Sequence, residues 1–280
     1  MSQLSLFARR FARNRSAVAG GALVLAYFAI ALLAPWLSPH DPLAQDLAQR
    51  LQPPSFAHWL GTDDLGRDLL SRLLWGAGVS LQVGLLSVAI ALGLGVPIGL
   101  VSGYAGKWVD ETLMRLMDML MAFPGMLLAI LVVAVLGPSL TNAMLAIGLV
   151  NVPQYARLVR AAALGLKEQE YVEAARMAGA SHAFMLWRHV LPNCLTPILV
   201  QATLGIATAI LETAGLSFLG LGAQPPQPEW GTMLNQARAF IRSAPWTVAF
   251  PGLAVMAVVL GFNLLGDGLR DLLDPKTRKA

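Results

Sequence analysis

Long runs without a charged side chain, separated by short polar stretches, dominate the hydrophobic pattern of this chain. Residues 17–37 are uncharged, and at about 1.5 Å per residue they suffice to cross a hydrocarbon core of about 30 Å. The run 73–106 holds a second span centred near Ala91. Residues 119–156 are also uncharged and too many for one crossing, and Gly137-Pro138-Ser139 divides them into two helices joined by a tight turn. A fifth span is expected over about 195–222 and a sixth over about 246–266. The pattern predicts an all-α, polytopic membrane protein with six transmembrane helices.

The basic residues orient these spans. Arg9, Arg10, Arg13 and Arg15 precede the first helix, and Lys107 and Arg115 fall between the second and third. Arg157, Arg160, Lys167, Arg176 and Arg188 follow the fourth; Arg270, Lys276, Arg278 and Lys279 follow the sixth. Arg50, Arg67, Arg72, Arg238 and Arg242 remain for the other side. Fifteen against five places the N- and C-termini in the cytoplasm by the positive-inside rule. A cleaved signal peptide would have a shorter apolar core and a small-residue cleavage site, so the first helix is read as retained.

Composition agrees: 56% of the 280 residues are hydrophobic and 13% charged, against roughly 25% charged in soluble domains. Lipid is the simplest solvent for such a surface. The net charge of +4 lies in inter-helix stretches without interleaved aromatics, which argues against nucleic acid. Cys194, the single cysteine, excludes an intrachain disulfide and a cysteine metal cluster.

Two loops are long. The outer one, 38–72, carries Pro39, Pro42, Pro53 and Pro54 and is expected to end in an amphipathic helix with Leu65, Leu69 and Leu73 on one side. The inner one, from 157 to 192, predicts a helix over 167–178 in which Tyr171, Ala174, Ala175 and Ala178 share a face and Glu173 can pair with Arg176. Gly179 suits its C-terminus. Ser181 can cap a second short helix bearing Phe184, Trp187 and Leu191, which Pro192 stops. In the second span Gly95, Gly99 and Gly103 recur at spacing four, a pattern that lets two helices approach closely.

Glu212 lies within the fifth span, where a charge would cost at least about 2.5–3.5 kcal/mol, so it is a candidate for the translocation pathway or for a hydrogen bond to a neighbouring helix. Asp118, one turn after Arg115, suits a local ion pair or interfacial anchor. Neither G-x4-G-K-[ST] nor H-E-x-x-H occurs. His40, His58, His182 and His189 all fall in loops, so an intramembrane Ser–His dyad has no base at depth, and no metal site is expected.

Glu173-Ala174-Ala175, three residues, Gly179, then Leu191-Pro192 resembles the EAA motif of ABC importer permeases, with His189 where isoleucine is usual. Arg188-His189-Val190-Leu191-Pro192-Asn193 is similar to the variant of the dipeptide, oligopeptide and nickel subfamily. Leu60-Gly61-Thr62-Asp63-Asp64-Leu65-Gly66-Arg67-Asp68, Leu216-Ser217-Phe218-Leu219-Gly220-Leu221-Gly222 and Asn263-Leu264-Leu265-Gly266-Asp267-Gly268-Leu269-Arg270 agree with it, nearest to the second (C-type) permease of dipeptide systems.

The resemblance implies a type I ABC importer permease fold in a bacterial inner membrane. It divides the chain into 1–72, with the first helix and outer loop, and a five-helix core over 73–280 that includes the EAA loop, 157–193. It also implies a heterodimer with a second permease, two ATPase subunits that bind ATP and Mg, and an extracytoplasmic solute-binding protein. This chain itself would bind no cofactor, and Glu173, Ala174, Ala175, Gly179, Leu191 and Pro192 would couple it to the ATPases. Short peptides lead among substrates, with nickel or another small solute as the alternative within the family. An autonomous channel or secondary transporter is the alternative from another class.

Overall fold

The computed structural model describes residues 10–273, and every regular element among them is a helix. Arg9, Lys276, Arg278 and Lys279 of the basic clusters lie outside the described residues. Helix α1 (Arg15–Leu37) starts at Asn14, whose side chain accepts from the backbone of Ala17 at 3.0 Å and so satisfies one of the free N–H groups of the first turn. Helix α2 (Leu69–Ala105) is capped by Asp68 in the same way. Thus Leu69 and Leu73 belong to the second span itself. The separate amphipathic helix expected in the outer loop is absent among the described residues, because the Asp68 cap starts one continuous helix there.

The third span differs from expectation. Helices α3 (Lys107–Met121) and α4 (Gly125–Leu136) meet at an 87° bend. Pro124 supplies no backbone N–H and disfavours helix at Phe123, which ends α3 there. Helix α5 (Leu140–Lys167), capped by Ser139, is followed by the short α6 (Glu170–Met177). Helix α7 runs without a stop over His182–Phe218. Pro192 does not end it, because Met185–Val190 widens to π-type winding and the proline falls in the following turn, where its missing N–H is tolerated. Helices α8 (Trp230–Ala237) and α9 (Trp246–Leu273) complete the order.

Four of these helices (α1, α2, α7 and α9) are long and apolar enough to cross a membrane, or five spans result if the bent α3–α4 pair counts as one. Helix α5, the fourth span expected from the pattern, is diluted by Asn142, Asn151 and Gln154, so length and composition do not reproduce the count of six. Outward faces are apolar: Leu32 is 74% and Val135 78% exposed. In water such faces would be a liability; lipid accepts them.

Small residues set the packing. A Cβ on Gly95 would meet Tyr155 Cβ at 2.8 Å, one on Gly99 would meet Val159 Cβ at 2.8 Å, and one on Gly103 would meet Ala163 Cβ at 2.8 Å. Both residue numbers rise together, so α2 and α5 run parallel, and the bent pair between them carries the chain back. Helix α1 is antiparallel to α9, with Ala17 against Gly268 and Leu23 against Gly261. The chain thereby collects the start of α1, the ends of α2, α5 and α9, and helix α6 at one end of the bundle. The loop 38–68 packs at the other, where Trp246 Nε1 donates to Thr62 O at 3.4 Å.

Candidate functional site

At the α6 end the chain turns sharply between two helices. Gly179 adopts φ +83°, a left-handed conformation that glycine reaches without penalty. The N–H of Gly179 donates to Arg176 O at 3.0 Å and that of Ala180 to Ala175 O at 3.2 Å, satisfying carbonyls left open by the end of α6. The Ser181 hydroxyl then accepts from Phe184 N at 3.3 Å and starts α7.

Val172, Met185 and Val190 are buried and hold this turn against the bundle. Glu173, Ala174 and Ala178 are exposed. So are the large apolar side chains of Met177 (84%) and Trp187 (69%), together with Phe184. Leu191 is half-buried against the core beside Cys194, and Pro192 is exposed. His189 lies between two rings, 6.2 Å from Tyr171 and 5.6 Å from Phe184. Asn193 fixes that arrangement by donating to Tyr171 Oη at 3.2 Å and to His189 O at 2.6 Å. Glu173 and Arg176 do not form the ion pair their spacing allows among the described residues; both border a cleft that Tyr104, Lys167 and Met185 also line.

A polar clamp behind the turn was not legible in the sequence. Arg160 of α5 grips Asp110 of α3 through Nε at 2.5 Å and Nη2 at 2.6 Å, and Ser102 of α2 donates to the same carboxylate. Lys167 Nζ donates to Tyr104 O at 2.9 Å. The ends of α2 and α5 and the start of α3 are thus tied to one another near the turn. Asp118 does not pair with Arg115: it takes Arg157 from α5, while Arg115 reaches back to Glu111 at 2.5 Å. These two pairs are exposed and contribute little to stability.

Within the bundle, Glu212 of α7 is half-buried, and its Oε2 accepts from Asn151 Nδ2 of α5 at 3.2 Å. Gln154 and Thr208 lie one turn away on the same two helices with exposed side chains. A polar line therefore runs along the α5–α7 seam in an otherwise apolar setting.

The opposite end is built on two buried arginines. Asp63 accepts from Arg67 Nε at 2.6 Å and lies 3.4 Å from Arg72 Nε, and both guanidinium groups are buried. Arg67 also donates to Gln236 Oε1 at 3.1 Å, and Arg72 to Pro42 O at 3.1 Å, so loop, α2 and α8 close on one another. Burial, reinforced by the neighbouring Asp63 carboxylate, pushes the Asp64 carboxyl above its ordinary range despite the pull of Arg67. Gly66, at φ +73°, leaves no room for a side chain, since a Cβ there would run into the Asp46 carbonyl.

Similarity to known proteins agrees with this layout. The family model for the inner-membrane component of binding-protein-dependent transport systems matches residues 95–279, and that for the N-terminal TM domain of oligopeptide transport permease C matches 2–54. A dipeptide transport system permease of Alkalihalophilus pseudofirmus is 51% identical over 96% of this chain and 89% of its own length. A glutathione transport system permease of Pectobacterium atrosepticum is 49% identical over 97% of this chain and 91% of its own. Among solved structures, an inward-facing methionine ABC transporter superposes with TM-score 0.60 at 19% identity, over 72% of this chain and 97% of that one, which shows the shared fold. The chain therefore belongs to the family of inner-membrane permease components of binding-protein-dependent ABC importers, which are transport subunits and leave ATP hydrolysis to separate chains.

Proposed function

We propose that this chain forms half of the translocation pathway of an ATP-driven importer of dipeptides or other short peptides. Its partners are a second permease, two ATPase subunits and a solute-binding protein. The observation that carries the proposal is the turn from Glu173 to Pro192, which presents Met177, Phe184 and Trp187 to solvent from a rigidly anchored base. Exposed aromatics and methionine around a short helix are what a helix seated in a partner's groove requires. The ATPase pair closes on ATP, moves this element through Glu173, Ala174, Ala175 and Gly179, and so shifts α5 and α7. Leu191 and Pro192, where the turn enters α7, pass the motion on.

The end of the bundle that gathers Arg10, Arg13, Arg15, Arg157, Arg160, Lys167, Arg176, Arg188 and Arg270 faces the cytoplasm, and the 38–68 loop faces the binding protein. Residues 1–72 form an accessory segment beside a core over 73–280, a division that the separate matches at 2–54 and 95–279 support. Glu212 and Asn151 line the path between the two permeases. ATP and Mg are bound by the partners. Peptide specificity follows from the relatives, whose names refer to dipeptides and glutathione.

Reconstitution of the complete complex in liposomes tests this reading. Labelled dipeptide should enter only with ATP and loaded binding protein present; uptake by this chain without ATP would instead make it a channel or secondary transporter.

A further inference from the structure

The 38–68 loop and the start of α2 bring together three side chains that sequence spacing gave no reason to group. His40, His58 and Asp68 each offer a ligand atom, and the three atoms lie within 4.8 Å of one another. Asp68 Oδ2 is committed to the first turn of α2, accepting from Ser71 N at 2.8 Å and Ser71 Oγ at 2.7 Å. Its Oδ1 faces His58 Nδ1 at 2.8 Å and His40 Nδ1 at 3.6 Å.

The hydrogen-bond chain beyond His58 decides what belongs between these atoms. Gln49 Nε2 donates to Asp46 Oδ2 at 2.9 Å, which turns its Oε1 toward His58 Nε2 at 2.8 Å. An amide oxygen only accepts, so Nε2 carries hydrogen, and in the neutral ring Nδ1 is then a bare lone pair. A lone pair facing a carboxylate oxygen at 2.8 Å is repulsive unless positive charge sits at Nδ1. A metal ion supplies that charge, and an imidazole whose far N–H is held by a side-chain carbonyl is how metal sites orient their histidines.

A single proton on His58 would also supply the charge, but it gives His40 no part, although His40 approaches the same oxygen and its ring lies 4.7 Å from that of His58. Ligand atoms about 2.1 Å from a tetrahedral ion are about 3.4 Å apart. The observed 2.8 and 3.6 Å bracket that separation. Two imidazole nitrogens and one carboxylate oxygen suit zinc or a similar borderline divalent ion.

We propose that His40, His58 and Asp68 form a binding site for a zinc-class divalent ion. The ion staples the loop after α1 to the N-terminus of α2, and the exposed side of His40 leaves a further coordination position open to solvent.

The test uses the full chain in its purified complex, with Zn²⁺ titrated against a chromophoric competitor and thermal unfolding followed in parallel. Wild type should take up one ion per chain and melt at a higher temperature with zinc. His40→Ala should weaken binding by about tenfold or more and lose the zinc-dependent shift in melting. His40 is the suitable variant because its ring is exposed and meets Asp68 and His58, whereas Asp68 also caps α2. His182→Ala, far from the cluster, should bind as wild type does. Equal binding by wild type and His40→Ala would overturn the site. So would wild-type melting that does not respond to zinc.

Discussion

The side-chain amide of Asn151 donates to the carboxylate of Glu212 at 3.2 Å, bridging α5 and α7, and the same nitrogen donates to Ile147 O at 2.9 Å. Among the described residues the carboxylate thus has one hydrogen-bond partner, and the side chain is half-exposed. Glu212→Gln keeps the size and an acceptor oxygen but removes the charge. Assembly with the partner subunits should survive, and dipeptide uptake should fall several-fold. Wild-type uptake in this variant would make Glu212 a tie between helices with no part in the path.

Packing of α2 on α5 leaves no room at Gly99, where a Cβ would press on Val159 Cβ at 2.8 Å and on the Ala156 carbonyl. Gly99→Leu should cost about 1–3 kcal/mol or more through overpacking and lower the yield of folded complex. Gly93→Leu is the control, since nothing lies within 4 Å of a Cβ there. Size-exclusion profiles and thermal melting of the two variants should separate clearly.

Two adjacent carboxylates should behave oppositely. Asp63→Ala leaves the buried Arg67 and Arg72 without their main counter-charge and should cost about 3–5 kcal/mol. Asp64 has its pKa raised, so the folded state holds its proton more tightly than the unfolded chain does. Its unfavourable contribution is therefore absent below the ordinary carboxylate range and grows as pH rises through the raised value. Asp64→Asn should leave stability unchanged or slightly higher at neutral pH, and less dependent on pH in that window, by melting temperature across a pH series.

Sidedness is the next consequence. In a background where Cys194, which is buried, is replaced, single cysteines at Gln45 and Gln227 should react with an impermeant reagent on intact cells. A cysteine at Gln169 should react only after the membrane is opened. Labelling of position 169 from outside would reverse the orientation.

Much of this architecture is legible in the sequence because lipid leaves the chain few options. Uncharged runs read directly as α1, α2, α7 and α9, and glycines at spacing four mark the α2 face that meets α5. Local signals also located the turn at Gly179 and the cap at Ser181. What the pattern misjudged were breaks whose meaning depends on context. Pro124 bends a helix by 87° within an uncharged run, whereas Pro192 stops nothing because π-type winding precedes it. Pairings across distant segments were illegible for another reason. Asp110 with Arg160, and His40 with His58 and Asp68, are brought together by tertiary folding alone, and short-range spacing carries no trace of that.

Coupling through the Gly179 turn is the centre of the account, and uptake per ATP hydrolysed in reconstituted complexes measures it most directly. No atom lies within 4 Å of where a Cβ at position 179 would sit, so a substitution there acts through the backbone at φ +83° rather than through a clash. Gly179→Val should impose about 1–3 kcal/mol of strain and tilt α6 away from its seat while leaving insertion and the bundle intact. Gly179→Asn, which tolerates the left-handed conformation better, should be milder. The expected result is a Gly179→Val complex that inserts yet associates weakly with its ATPases, or hydrolyses ATP without stimulation by loaded binding protein, with uptake per ATP well below wild type. A Gly179→Val complex that binds its ATPases and transports with wild-type uptake per ATP would contradict the account.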